Sequence, residues 1–472
     1  MTGKKNTISE QFLDYAKRAE LFDYGPFKGS MIFRPYAYAI WEKCQANLDA
    51  EIKDQGCDNI YFPCLIPEGL LAKEKEHVEG FSPELAVVTH GGGEELSEKL
   101  AVRPTSETLM YHYFSKWISS WRDLPFKVNQ WSNVIRWELR PFPFLRTSEF
   151  LWQEAHTVHD SYEGARDQVY NSLKMYEKFF NEILAIPVAI GQKTEKEKFA
   201  GALYSMSCEA LLLDGNALQI ATAHNLGQNF SKVFEVDFQD KQGETEYAWQ
   251  TSWGLSTRAL GGMFLTHMDD KGLVIPPRVA PVQARIIPIG VEKDEKVLTT
   301  GKDIQRSLRD KDVRAEVDTG EHSAGWKFND AELKGIPLRV EVGPKDLEKE
   351  KVVVARRDTG EKIDIPIKEL DQKIPDLLEE IQGNLYERAK NFVKENSHQV
   401  DDYEEFKDIM KGKRGFVHAD WCGDQKCEEA IKEETKATTR CLPLEEKTSF
   451  NTGQCIYCGK EAKYQPIWAR NY

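Results

Sequence analysis

A change of pattern near residue 280 constrains this chain more than any other feature. Asp269-Asp270-Lys271-Gly272 reads as a turn, and Pro276-Pro277 and Pro281 follow at once. Proline withholds the backbone donor that a helix or sheet uses, so the first regular region ends here. Before the break, apolar runs at 128–137, 211–214 and 217–223 read as strands joined by turns, which predicts antiparallel pairing. Val169, Leu173, Tyr176, Phe180 and Ile183 recur at helical spacing and predict an amphipathic helix with a core-packed face. After the break, β-branched runs at 285–291, 314–318, 338–342 and 351–355 alternate with helix-like stretches such as 295–310. That alternation predicts a small α/β unit with a mostly parallel or mixed sheet. Helical periodicity continues through Leu377, Ile381, Leu385 and Phe392, and polarity rises at 397–402, which reads as a linker. The divisions expected are 1–283, 284–397 and 398–472, within the two to four domains that 472 residues allow.

Composition narrows the function classes. A formal net charge of -14 argues against a generic basic surface, though a local basic patch can still meet RNA. No apolar run reaches the ~18 residues of a membrane span, and the polar first ten residues lack the apolar core of a signal peptide. Of nine cysteines, Cys44, Cys57, Cys64 and Cys208 are scattered and five crowd the last 51 residues. An odd, clustered set points to reduced thiols in the cytoplasm and a metal site rather than to a disulfide framework. Cys422 with Cys427 and Cys455 with Cys458 are two ligand-like pairs, and four thiolates would close a tetrahedral, structural zinc site. Cys441, between the pairs, reads as packed.

No G-x-x-x-x-G-K-[ST] segment exists, and Gly91-Gly92-Gly93 reads as a flexible loop. Arginine forks can hold a nucleotide instead. Arg136 and Glu138 are two apart on a predicted strand and so share a face; a proline-bearing loop follows, then Arg146 and Phe150. Arg258 stands before Gly261-Gly262; Gln219, Thr222 and His224 interrupt an apolar strand; Thr105 and Glu107 are again two apart. Each alone fits a structural role such as a surface ion pair. Together they gather arginines, carboxylates and a histidine onto short strands.

Those segments resemble the class II aminoacyl-tRNA synthetases. Arg136-x-Glu138, the loop and Arg146-x-x-x-Phe150 are similar to motif 2, Gly254-Leu255-Ser256-Thr257-Arg258 to motif 3, and Gly29-x-x-Ile32-x-x-Pro35-Tyr36 to motif 1, the dimer element. Thr105-Ser106-Glu107, Trp152-Gln153-Glu154-Ala155-His156, residues 194–201 and residues 219–227 narrow the resemblance to the prolyl-tRNA synthetase family, from about Ala16 to Tyr472, and the cysteine-bearing C-terminal part resembles the zinc-binding extension of its archaeal and eukaryotic type. The class I signatures H-I-G-H and K-M-S-K-S are absent. The fold class implied is α/β in the broad sense (α+β). An antiparallel-sheet catalytic domain would span 1–283, an α/β anticodon-binding domain 284–397, and a small zinc-binding domain 398–472.

The resemblance implies ATP-dependent ligation of L-proline to tRNA(Pro) through a prolyl-adenylate, by a cytoplasmic homodimer. Arg136 and Arg258 would be the catalytic pair, Arg136 meeting the carboxylate and α-phosphate and Arg258 the outer phosphates. Arg146, Glu138, Thr147, Phe150, Gln219, Thr222 and Ser256 would complete the ATP site, with Phe150 stacked on adenine and Gln219 the protein contact of a Mg²⁺ ion. Thr105 and Glu107 would take the secondary ammonium of proline, and Trp152, Glu154, His156, Phe199 and His224 would surround its ring. Glu332, Arg339 and Lys345 are carried over as anticodon contacts; arginine suits the guanines that proline anticodons share. No large insert separates motifs 2 and 3, so an editing domain there is not expected. A threonyl relative would share motifs 1–3 but bring a zinc ligand set to its amino-acid pocket, which is not seen; a non-catalytic tRNA-binding paralogue could lose the motif arginines, and both stand here.

Overall fold

The computed structural model describes residues 7–77, 85–444 and 453–472, with side chains of 73–77 left aside. The chain opens with α1 (Ile8–Arg18), where Thr7 and Glu10 form a capping box, then the hairpin β1 (Phe22–Tyr24) and β2 (Met31–Phe33). Pro35, preorganised for a first helical turn, starts α2 (Pro35–Asp54). β3 (Asp58–Asn59), β4 (Leu65–Pro67), α3 (Glu68–His77), the hairpin β5 (Ala86–Gly91) and β6 (Glu94–Val102), and α4 (Glu107–Trp117) lead to β7 (Phe126–Ile135) and β8 (Glu149–His159). α5 (Tyr162–Lys178), capped by Ser161, runs into a π-helical turn at Phe179–Ile183. β9 (Val188–Gln192), β10 (Tyr204–Leu211), β11 (Ala217–Gly227), α6 (Asn229–Phe234), the hairpin β12 (Asp237–Gln239) and β13 (Thr245–Tyr247), β14 (Trp249–Ser256) and α7 (Arg258–His267) complete this part.

β9, β10, β11, β14, β8 and β7 lie side by side, every pair antiparallel, as the turn-joined runs require. α5, with Val169, Leu173 and Tyr176, and the π-helical turn, with Phe180, cover one face, which leaves the other face of the sheet for a site. Residues 160–248 form α5, β9–β11, α6, the separate β12–β13 hairpin and their connecting loops, so no domain-sized insert separates the two arginine motifs.

Next come β15 (Ala284–Pro288), α8 (Lys296–Arg309), β16 (Ala315–Val317), α9 (Ala324–Leu333), β17 (Leu338–Val342), α10 (Pro344–Leu347), β18 (Lys351–Arg356), β19 (Lys362–Pro366) and α11 (Leu370–Glu395). Their sheet has the order β16-β15-β17-β18-β19, parallel in its first three strands and antiparallel in the rest, the mixed form expected. Finally β20 (Ser397–Gln399), α12 (Tyr403–Lys411), β21 (Phe416–His418), α13 (Gln425–Thr435), β22 (Ala437–Pro443) and β23 (Ile467–Arg470) form the C-terminal unit.

Five expectations are corrected. Residues 211–214 are not a strand: β10 stops at Leu211 and a turn follows, where the Asp214 carboxylate accepts the N–H of Asn216 at 2.9 Å. Residues 397–402 are not a mere linker, because β20 pairs with β21 inside the C-terminal sheet. Gly91-Gly92-Gly93 is the tight turn of a hairpin, with φ of 63° at Gly92 and 91° at Gly93, a backbone glycine adopts without penalty. β7 ends at Ile135, so Arg136 and Glu138 lie just past the strand rather than on it. Thr105 and Glu107 sit at the start of α4, not on a strand. A further finding had no counterpart in the sequence: β22 pairs with β9, so the C-terminal strands extend the central sheet to eleven among the described residues.

Candidate functional site

The open face of the sheet is built from alternate residues of neighbouring strands. Cross-strand register places Trp152 opposite Ser256, Glu154 opposite Gly254, and His156 opposite Ser252. On the other side of β14, Gly254 meets Thr222 and Ser252 meets His224. A Cβ at Gly254 would stand 2.6 Å from the Gln153 oxygen, so only glycine forms this low point of the floor. Gln219 and Thr222 are three apart yet share that face, because the β10–β11 register slips there: Glu209 faces Gln219, Cys208 faces Ala221, and Ile220 is the extra residue of a bulge.

Above the floor lies a cavity of about 330 Å³. Thr105, Glu107, Arg136, Phe150, Trp152, Glu154, His156, Phe199, Gln219, Thr222, His224, Ser256 and Arg258 all line it, so most of the expected site converges. Arg136 has its guanidinium 5.5 Å from the centroids of both Phe150 and Trp152 and donates from Nε to the Pro104 oxygen at 2.9 Å. Arg258 donates from Nε to the Leu145 oxygen at 3.0 Å. Enclosure, with Arg136 and Arg146 nearby, brings its pKa down to about 10, still cationic at neutral pH.

At the deep end, the Thr105 hydroxyl donates to Glu107. Glu154 accepts from Ser106 Oγ at 2.5 Å and Gln130 Nε2 at 2.9 Å, and its other oxygen lies 3.2 Å from His156 Nε2. Burial lowers the His156 pKa, but the Glu154 hydrogen bond and the charges of Glu107 and Glu154 outweigh it, and the net shift is upward. His224 goes the other way: burial first, then His156 and Lys193, push it to about 3, so it is a neutral ring. That ring lies 4.8 Å from Phe199 and 2.7 Å from Ser205 Oγ. The site thus offers cations at one end and carboxylates under an aromatic wall at the other.

Three expected residues do not line this cavity. Arg146 lines an adjoining one of about 510 Å³, shared with Gln219 and Arg258. It donates to the main-chain oxygen of Tyr472 at 3.1 Å. Glu138 accepts from Arg140 N at 2.8 Å and sits 4.0 Å from Arg146, while Thr147 Oγ1 donates to the Glu149 oxygen at 2.6 Å. Sequence reasoning also missed residues. Ser252 lines the main cavity with a buried hydroxyl that has no partner among the described residues; the period-two run Ser252, Gly254, Ser256 carried that signal. Arg440, Asn471 and Tyr472 enter the adjoining cavity from the C-terminal unit, and no local pattern announces them.

Two sites lie elsewhere. Glu332 and Arg339 share a cleft with Lys271, Arg357 and Lys362. Arg339 spans Glu341, at 3.0 Å, and Glu332, at 3.4 Å, with its guanidinium 4.3 Å from the Phe328 centroid. Lys345 is not in that cleft: it is exposed on α10, beyond the far end of β17. In the C-terminal unit the Sγ atoms of Cys422, Cys427, Cys455 and Cys458 all lie within 4.8 Å of one another. A tetrahedron with metal–sulfur bonds of ~2.3 Å has edges of about 3.8 Å. Cys422 is 3.8 Å from Cys427 and 3.7 Å from Cys458, so this donor set fits zinc. Cys441 is buried in β22, outside the cluster.

An antiparallel floor, a deep carboxylate-lined end and an arginine-walled mouth are the arrangement of a class II aminoacyl-tRNA synthetase. Residues 88–265 match the tRNA synthetase class II core domain (G, H, P, S and T), and residues 283–377 match the anticodon binding domain. Residues 403–472 match the prolyl-tRNA synthetase C-terminal domain, and the chain belongs to the prolyl-tRNA synthetase family. It is 51% identical to a proline–tRNA ligase of Natranaerobius thermophilus over 476 residues, covering 100% of this chain and 98% of the relative. A proline–tRNA ligase of Oceanobacillus iheyensis is 49% identical over 472 residues, with the same coverage of 100% and 98%. The crystal structure of prolyl-tRNA synthetase from Cryptosporidium parvum, complexed with halofuginone and AMPPNP, superposes with a TM-score of 0.95 at 44% identity, covering 100% of this chain and 99% of that one.

Proposed function

We propose that this chain ligates L-proline to tRNA(Pro) in two steps. The observation that carries the reading is the convergence of Arg136, Glu107, His156 and Arg258 on one cavity over the antiparallel floor. In the first step a carboxylate oxygen of proline bonds to the α-phosphorus of ATP while the bond to the β-phosphate oxygen breaks, and diphosphate leaves. Two anions must approach, so the site has to supply fixed positive charge. Arg136 faces both reacting groups, and Arg258 and Arg146 hold the outer phosphates. Phe150 stacks on adenine, with Thr222 and Ser256 beneath the nucleotide and Glu138 and Thr147 behind its base end. Glu107 and Thr105 accept the two N–H donors of the secondary ammonium, while Trp152, His156, Phe199 and His224 enclose the ring and Glu154 holds His156. In the second step a terminal ribose hydroxyl of tRNA attacks the adenylate carbonyl carbon, and AMP leaves.

Gln219, where the two cavities meet, is the group we assign to Mg²⁺. A single neutral carboxamide fits an ion held mostly by phosphate and water, which would neutralise phosphate charge. Zn²⁺ at the four cysteines is closed and structural. Residues 1–283 serve as catalytic domain, 284–397 as anticodon-binding domain through Glu332, Arg339 and Lys345, and 398–472 as zinc-binding domain. Tyr24, Phe27, Ile32 and Trp137 stand exposed around the motif 1 segment, which supports a homodimer closing over them. Reduced cysteines support a cytoplasmic location, and among the described residues no helix is long and apolar enough to cross a membrane. Proline-dependent ATP–diphosphate exchange is the test. Exchange with threonine or serine instead would refute the assignment.

A further inference from the structure

Asp269 lies just past the end of α7, the helix whose first residue is Arg258. Arg357 grips its carboxylate bidentately, at 2.6 and 2.7 Å, and the N–H groups of Lys271 and Gly272 donate to it at 2.9 and 3.2 Å. The same Arg357 donates from Nε to the main-chain oxygen of Glu332 at 2.8 Å. Its side chain is only 3% exposed. One guanidinium therefore joins the end of the helix that carries Arg258 to the residue that, with Arg339, forms the candidate anticodon cleft.

The seam around this bridge has no slack. Leu273 N donates to the Leu333 oxygen at 3.0 Å and Ile275 N to the Gly335 oxygen at 3.1 Å. A Cβ on Gly272 would stand 2.6 Å from Leu333 Cα, and one on Gly335 would stand 2.7 Å from the Leu273 carbonyl carbon. Arg388 ties the last residue of α7 to α11, donating to the His267 oxygen at 2.9 Å. Lys271, on the same turn as Asp269, reaches into the cleft and has no ion pair among the described residues. A group that enters this cleft and engages Glu332 cannot shift that residue without loading Arg357, and through it Asp269 and α7. Bidentate pairing matters here, because a single contact could pivot.

We propose that Arg357 and Asp269 are positioning residues that make charging depend on the anticodon bases held at the Glu332–Arg339 cleft, by carrying a change at that cleft to the C-terminal end of α7. The inference rests on the reading of the chain as a proline–tRNA ligase. The competing account is a plain staple between two units, which would affect folding stability but leave the dependence on anticodon sequence intact.

The experiment uses the full chain as wild type, Arg357→Ala, Arg357→Lys and Asp269→Asn. Each is assayed for tRNA-independent proline exchange, and for charging of a tRNA(Pro) transcript and of one whose two anticodon guanines are replaced. Wild type should charge the native transcript better by roughly tenfold or more, the discrimination good base contacts supply. Asp269→Asn, outside the cleft, should keep exchange within about twofold, lose kcat on the native transcript rather than KM for tRNA, and show a shrunken ratio between transcripts, and Arg357→Ala, at the cleft wall, should shrink the ratio as well. Arg357→Lys, which keeps charge but not the fork, should fall between. Soluble variants that charge more slowly but retain the wild-type ratio overturn the inference, as does an equal loss of exchange. Should Arg357→Ala fail to fold, Asp269→Asn and Arg357→Lys decide. Wild type unable to charge tRNA(Pro) sinks the functional reading itself, whereas a wild type that charges beside variants of unchanged ratio sinks only the bridge.

Discussion

Arg136 illustrates how much one side chain is asked to do. Phe150 and Trp152 clamp its guanidinium and the Pro104 carbonyl takes Nε, so the charge is fixed before substrate arrives. A preorganised donor of this kind is worth about 3–4 kcal/mol in the transition state. Arg136→Ala should therefore slow single-turnover adenylate formation at least ~100-fold with the fold retained; a loss below about tenfold would place Arg136 away from the reacting atoms. His156 gives a pH signature. Its pKa is raised above the ordinary value near 6.5, the hydrogen bond and charges of the carboxylates outweighing burial. Above the raised pKa the ring is neutral and sets no cation against the charges of Glu107 and Glu154, the groups proposed to face the substrate ammonium. Below it the imidazolium offsets one of those charges. The KM for proline should thus climb as pH falls through this pKa, and His156→Gln should flatten the climb. Exchange kinetics at varied proline and pH would show it; a wild-type KM that stays flat across that window would contradict the charge argument.

Elements explain which parts of the site the sequence made legible. Trp152, Glu154 and His156 are reached through the resemblance, and on β8 their period of two puts them on one face. Gln219 and Thr222 violate the period, and only the bulge at Ile220 reconciles them; a bulge is a matter of register between strands, which a single sequence does not carry. Glu138 was misplaced for a related reason, since β-like residues continue past the point where pairing stops at Ile135. β9 was unread because Val188–Gln192 is short and turn-bounded, yet it joins the C-terminal strands to the central sheet. A buried charge cluster marks that junction. Glu209, fully buried, accepts from Lys193 at 2.7 Å, Ser207 at 2.7 Å, and Arg440 at 2.6 and 2.9 Å. Burial raises the Glu209 pKa, but Arg440 and Lys193 more than reverse it and leave it below the ordinary range. Removing the anion strands two buried cations, so Glu209→Ala should cost about 3–5 kcal/mol, the range for a broken buried pair. A chemical-denaturation midpoint measures this; a shift worth under about 1 kcal/mol would mean water reaches the cluster and screens it.

At the scale of the whole molecule, the unit that carries the four-cysteine cluster and the central sheet are one structure. β22 bonds to β9, Arg440 completes the Glu209 cluster, and Asn471 and Tyr472 wall the cavity beside Arg258. The metal should therefore matter well beyond its own loop. Cys427 and Cys455 are separated by 27 residues, and closing four thiolates on one ion ties the start of α13 to the turn at 455–458. Neutral thiols bind zinc poorly, so loading should release protons and weaken as pH falls. The full chain should carry one zinc, Cys455→Ser should lose it, and Cys441→Ser should keep it, because Cys441 packs between Leu211, Ala217 and Ile467 instead. No ligand position is left for water in a site of four thiolates, so a zinc ion held there would take no part in the chemistry. Its loss should still depress proline-dependent exchange, because unfolding the unit withdraws Arg440 from Glu209 and Tyr472 from Arg146. Metal content, exchange rate and thermal unfolding of the wild type and the two variants, measured together, decide the point. Zinc-free Cys455→Ser protein with undiminished exchange would show that the shared sheet holds the catalytic cavity without the metal.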